Sequence, residues 1–177
     1  MNTYYCRSEE LRELAEKLQA YDKVFLSGTV YTSRDAAHKK IVAAMEEGSE
    51  LPFDLKDASI YYAGPTAAKP GQAIGSCGPT TSGRMDPFAP KLLDAGLVCM
   101  IGKGPRNQAV IDSIVKNGAV YLCALGGAGA LASRCITSCE VIAYDELGCE
   151  SVKKLELKDF PLVVGIDSRG NSVFEGK

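Results

Sequence analysis

A mixed-sheet α/β fold is what this sequence predicts, on three observations. Short apolar runs alternate with amphipathic stretches through the first two thirds of the chain, the pattern of strands joined by helices. The last 40 residues change character and read as strands separated by turns, which adds antiparallel pairing to an otherwise parallel sheet. With 177 residues, 46% hydrophobic and 24% charged, the chain has the composition of a globular protein and length enough for one sizeable core. A single domain over residues 1–177 is expected, with no internal repeat and no low-complexity linker.

The elements follow in order. Residues 8–20 read as an amphipathic helix: Ser8 can cap it, Glu9 and Glu10 suit its positive end, and Leu11, Leu14, Ala15 and Leu18 form one stripe. Val24, Phe25 and Leu26 begin a buried strand. A second helix follows, capped by Thr32 or Ser33, running to Glu47 and stopped by Gly48. Asp35 lies at capping-box spacing from Thr32, which puts Arg34 in the first turn, at the anion-favouring end. Residues 59–63 predict a strand, 87–95 a short helix beginning at a proline, 97–101 a strand, 106–116 a helix stopped by Asn117-Gly118, and 119–125 a strand. A further short helix is expected after residues 126–130. Strands are expected over 138–143, 151–158 and 162–167, with 168–171 as a turn back into 172–174.

Charge and cysteine usage exclude several functions. A net charge of −2 argues against a broad nucleic-acid footprint, and no apolar run approaches the roughly 20 residues that cross a bilayer. The first residues lack the basic and apolar regions of a signal peptide, so a cytoplasmic protein is expected. The seven cysteines are odd in number and scattered, with no Cys-x-x-Cys; Cys135 and Cys139 are an isolated pair four residues apart. Neither a disulfide framework nor a cluster held wholly within this chain is predicted. Cys99 and Cys123 sit in apolar runs as small buried hydrophobes, and Cys77 is the one thiol placed beside a candidate site.

That candidate is the stretch Gly78-Pro79-Thr80-Thr81-Ser82-Gly83-Arg84-Met85-Asp86. Two glycines admit close approach of a ligand, three hydroxyls and the amides supply donors, and the arginine adds a fork that fits a carboxylate or phosphate. Taken alone, the stretch also suits an ordinary polar turn ahead of a helix. It closes a segment, residues 64–84, rich in Gly, Pro, Thr and Ser and long for a compact domain, a length more often functional than not. Three strand-end loops carry a cation beside glycine or a helix start: Arg34, Arg84 and Lys103. Ligands of open α/β sheets gather at such loops, so the three together point to a dicarboxylate or phosphorylated ligand. His38, the only histidine, lies one helical turn beyond Arg34 and can tune the site or carry protons; a half-buried helix histidine is the alternative. Gly126-Gly127-Ala128-Gly129-Ala130 departs from the dinucleotide pattern and suits close backbone packing better. Gly102-Lys103-Gly104 lacks the rest of a P-loop, and no G-x-S-x-G occurs.

Three segments occurring in this order carry a family resemblance: residues 28–38 (Gly-Thr-Val-Tyr-Thr-Ser-Arg-Asp-Ala-Ala-His), residues 78–86, and Ile101-Gly102-Lys103-Gly104. Together they resemble the C-terminal half, or β subunit, of the iron–sulfur class I fumarate hydratases and L(+)-tartrate dehydratases. Residues 127–131, 146–148, 157–161 and 167–171 are similar to that family as well.

The resemblance implies a swivelling β/β/α domain that moves against a partner. It implies a 4Fe–4S cluster carried by a separate α subunit, with three cysteine ligands there and none from this chain, and an iron acting as Lewis acid on the substrate. It matches Arg34 and Arg84 to arginines that grip substrate carboxylates, Lys103 to a substrate-contacting lysine, and Thr80 to a threonine of the proton-transfer machinery. Because a threonine hydroxyl is a poor base, Thr80 would need a neighbouring base, a cationic field or a relay to an α-subunit carboxylate. Thr81 falls among the substrate contacts or orienting groups; Asp86, Asp35 and His38 are candidates for orienting roles, Asp35 by pairing with Arg34. The implied activity is hydration of fumarate to (S)-malate, with L-tartrate dehydration as the close alternative and a non-catalytic dicarboxylate-binding module as one of a different class.

Overall fold

The computed structural model describes residues 1–124 and 129–175. Four strands run parallel in the order β2 (Lys23–Thr32), β3 (Ser59–Tyr61), β4 (Cys99–Gly102) and β5 (Val120–Cys123). The long strand β7 (Val152–Ile166) pairs antiparallel with β5 on one side and with β2 on the other. The pairings therefore return to their start, and the five strands close into a ring that leaves few unpaired edges. β1 (Thr3–Arg7) lies parallel beside β2, and β6 (Ile136–Ala143) antiparallel beside β7, completing a mixed sheet of seven strands.

The near-continuous apolar runs of β3, β4 and β5 follow from burial on both faces. Tyr61, Ile101 and Leu122 join Val24, Leu26, Val30, Leu155, Leu157 and Val164 in one apolar cluster, drawn from all five ring strands. The alternate residues Ile60, Met100 and Tyr121 join a second cluster. Helices α2 (Asp35–Glu47), α3 (Ala89–Asp94) and α4 (Gln108–Asn117) cover that second face through Ile41, Leu92, Val110 and Ile114. Each fully buried side chain of this size contributes about 1.5–3 kcal/mol. Helices α2 and α4 end where the sequence predicts, at Gly48 and Gly118, both in the left-handed conformation.

Several local expectations give way to tertiary contacts. Residues 8–20 form a 3-10 turn, Ser8–Glu10, and a single helical turn, α1 (Leu11–Leu14), not one helix. The carbonyls that a longer helix would use are taken by other partners: Ala15 O accepts from Ser168 Oγ, and Glu16 O and Leu18 O from Arg169. The predicted stripe still packs, with Leu11, Ala15 and Leu18 fully buried. Helix α2 starts two residues later than a Thr32 cap would place it. Arg34 is its N-cap, in extended conformation and without a side-chain cap, because Thr32 stays in β2 with its hydroxyl bound to Ser151 O and Lys153 N. The strands expected over 151–158 and 162–167 are one strand, β7, continuous through Asp159 and Pro161. The strand expected over 172–174 reduces to a bridge between Ile166 and Ser172. A short helix, α5 (Gly129–Arg134), precedes β6. Residues 125–128 lie outside the described residues, and most of the glycine-rich segment 126–130 with them. No helix among the described residues is long and apolar enough to cross a membrane.

Candidate functional site

The four parallel strands end together, and two of the predicted cations, Arg34 and Lys103, follow directly from those ends. Ser33 and Arg34 succeed β2, and the Ser33 amide donates to Tyr61 O at 3.2 Å, holding this exit against the exit of β3. Lys103 succeeds β4. The loop 64–86 leaves β3 and is laid back across the same end of the sheet by three links. Pro79 bridges Ala63, the Thr80 amide donates to Tyr62 O at 2.8 Å, and Thr81 bridges Lys103. Ser82 then exchanges bonds with Lys103: Ser82 N donates to Lys103 O at 2.9 Å, and Lys103 N donates to Ser82 Oγ at 2.9 Å. The Tyr121 hydroxyl, 2.8 Å from Ser82 Oγ and 2.9 Å from Gly104 O, fixes the seat from below. Gly102 makes the seat possible, since a Cβ there would stand 1.9 Å from Ser82 Oγ and 2.9 Å from Tyr62 Cδ2.

Arg84 of the 3-10 turn Ser82–Met85 and Asp86, its C-cap, point in opposite directions. Arg84 points out and grips Asp35 with two contacts, Nε to Oδ1 at 3.1 Å and Nη2 to Oδ2 at 3.0 Å. This joins the loop after β3 to the start of α2. Asp35 is therefore the partner of Arg84, and Arg34 faces a different carboxylate, Glu150, at 3.9 Å from Nε to Oε1. Lys103 is half-buried and forms no ion pair among the described residues. Thr80, which lies between Arg34 and Arg84 in sequence, is half-buried, and Thr81 is exposed.

Asp86 turns inward. Its carboxylate accepts from Arg106 Nε at 2.6 Å and from Asn107 N at 2.7 Å, and the Arg106 guanidinium lies over the rings of Tyr62 and Tyr121. Burial raises both tyrosine hydroxyls, so they remain neutral beside this cation. The pair staples the turn carrying Arg84 to the loop after Lys103. His38 is also internal: it is fully buried, its Nδ1 lies 2.7 Å from Ser33 Oγ and 2.9 Å from Arg34 O, and its ring packs on Tyr62 and Phe88. Burial lowers its pKa to about 4, so it is neutral near pH 7 and braces the Ser33 side chain and the Arg34 carbonyl. Cys77 is buried, and burial pushes its thiol up to about 12, which leaves it unreactive; its carbonyl accepts from the Tyr61 hydroxyl at 2.6 Å.

Sequence reasoning did not single out Ser82, Arg106, Tyr121 or Glu150. In the sequence Arg106 is only the first residue of the helix expected over 106–116. Its one local signal was Gly104-Pro105 immediately before it, a turn able to bring it back under the sheet end.

Known proteins resemble this chain over nearly its whole length. The model of the family described as Fumarase C-terminus matches residues 4–177. The aerobic class I fumarate hydratase of Escherichia coli (strain K12) is 41% identical over 170 residues, covering 93% of this chain and 31% of that protein. Fumarate hydratase 2 of Leishmania major is 38% identical over 168 residues, covering 94% of this chain and 30% of that protein. The protein named "Putative L(+)-tartrate dehydratase subunit beta" of Methanocaldococcus jannaschii is 38% identical over 166 residues, covering 90% of this chain and 85% of that protein. This chain thus spans about a third of the fumarate hydratases it matches and most of the tartrate dehydratase subunit.

Proposed function

This chain belongs to the fumarase C-terminus family, and from that membership we propose that it is the β subunit of a two-subunit iron–sulfur hydro-lyase that reversibly hydrates fumarate to (S)-malate. The observation that carries the reading is the gathering of Arg34, Arg84, Lys103 and Thr80 at one end of the parallel strands, where the loops of α/β sheets present ligand-binding groups. Fumarate carries two carboxylates and no other charge. Arg34 and Arg84 bind them, and Lys103 adds a third positive charge that favours the dianion. Asp35 occupies the Nε and Nη2 side of Arg84, which orients the guanidinium and leaves its Nη1 side for a ligand carboxylate. Thr80, held by its backbone to Tyr62, moves a proton at the substrate carbon only with help from a stronger base, which the reading places on the partner.

Among the described residues no three His, Cys, Asp or Glu side chains gather in a way that could hold a metal ion, so these residues do not fit a cluster. The reading accordingly assigns the 4Fe–4S cluster to an α subunit and gives this chain, as one domain over residues 1–177, the work of binding and orienting. A β subunit in its own right is supported by the tartrate dehydratase relative, which this chain matches over 85% of its length. The same match favours L-tartrate dehydration as the second reading. The test is anaerobic fumarate hydration and L-tartrate dehydration by this chain alone and by this chain mixed with a cluster-loaded α-type partner. Turnover only in the mixture, with fumarate preferred, is expected. Turnover by the chain alone overturns the two-subunit reading, and preference for tartrate exchanges the two substrates.

A further inference from the structure

We propose that Glu150 is a positioning residue for Arg34, an inference that rests on the dicarboxylate reading of the site. Arg34 Nε is buried and has no hydrogen-bond partner among the described residues; the carboxylate facing it is Glu150, whose Oε1 lies 3.9 Å away. At that distance the attraction is one of charge, so it orients the guanidinium without occupying the N–H groups that a ligand carboxylate needs. The same Oε1 accepts from Ala36 N at 3.4 Å, which ties Glu150 to the first turn of the helix that Arg34 caps.

Glu150 is itself held in place. It ends the 3-10 segment Asp145–Glu150, which Lys40 grips through Glu146 at 2.9 Å. Lys153 Nζ ties the other end, bonding to Cys149 O at 3.1 Å and to Ser151 Oγ at 2.7 Å. The opposite wall of the Arg34 channel is Gly64. A Cβ there would stand 2.8 Å from Arg34 Nη1 and 3.2 Å from Cys149 O, so the arginine threads between the loop after β3 and the segment bearing Glu150. Gly64 and Glu150 together restrict where the Arg34 guanidinium can lie. A loosely paired arginine is thereby made rigid, in the way that Asp35 makes Arg84 rigid.

A double-mutant cycle in the assembled enzyme tests this with fumarate kinetics and thermal melting. Glu150→Gln is expected to raise KM about 5- to 20-fold, well inside the coupling found between contacting charges, with kcat changed less than KM. Glu150→Asp is expected to recover part of the loss. In an Arg34→Ala background, Glu150→Gln is expected to have no further effect. Gly64→Ala, which crowds Arg34 from the other wall, is expected to raise KM in the same Arg34-dependent way and serves if Glu150→Gln does not fold. An unchanged or lowered KM for Glu150→Gln overturns the inference, as does an equal rise with and without Arg34. If Arg34→Ala itself has wild-type kinetics, the dicarboxylate reading falls and takes this inference with it. If Arg34→Ala is impaired but Glu150→Gln is not, only the inference falls.

Discussion

Two arginine–carboxylate pairs leave one short turn in opposite directions. Arg84 reaches outward to Asp35 with side chains 53% and 26% exposed, while Asp86, two residues on, reaches inward to Arg106 with side chains 7% and 0% exposed. Their chemistry is the same and their contact distances are similar, yet their environments assign them different work. The inner pair has lost its water on both sides and is repaid by Asn107 N, Tyr62 and Tyr121, so it can only hold the turn. The outer pair keeps water within reach. It adds little to stability but leaves a guanidinium side open to a ligand.

The largest effect that would sharpen this contrast is removal of one inner partner. Asp86→Ala should cost about 3–5 kcal/mol in urea unfolding, the cost of a buried charge left alone. The double variant Asp86→Leu/Arg106→Met should be milder than the single one. An Asp86→Ala protein as stable as wild type would erase the distinction between the pairs.

His38 extends the buried side of the contrast to pH. Its folded pKa of about 4 lies below the ordinary 6.5, so the unfolded chain binds the proton more readily. The stability this contributes is fully present above about pH 6.5 and is lost as pH falls towards 4, on the order of 3 kcal/mol in all. Melting of wild type and His38→Phe between pH 7 and 4.5 should show a steeper decline for wild type. Parallel curves would mean that His38 is not held neutral.

The smallest effect belongs to the fully outer pairs. Removing Lys91, which bonds Glu46 on the surface, should change stability by about 0–1 kcal/mol. A larger loss would show that exposure is a poor guide to the worth of ion pairs in this fold.

Much of the candidate site's layout is legible in the amino-acid sequence. Arg34 and Lys103 follow apolar strands, and Thr80 and Arg84 sit in a loop too polar for a core, so their gathering at the sheet end needs only the rule that parallel strands finish together. What is illegible depends on long-range register. Nothing near Val24 or Leu162 states that they pair, so closure of the ring through β2 and β7 cannot be read locally. Arg84 and Asp86 are equally polar letters on one turn, and only Arg106, 20 residues on, separates inner from outer. The helix expected over 8–20 fails for the same reason, since its carbonyls are claimed by Ser168 and Arg169 from the far end of the chain.

The measurement closest to the central claim pairs kcat/KM for fumarate with melting temperature for Arg84→Ala in the proposed complex with an α-type partner. The claim that the outer cations bind substrate and the inner ones bind the fold predicts a loss of about 100-fold or more in kcat/KM, the size expected when a charge-assisted contact to substrate is removed, with stability changed by less than about 1 kcal/mol. Wild-type kinetics, or a loss of activity that merely follows a loss of stability, would contradict it.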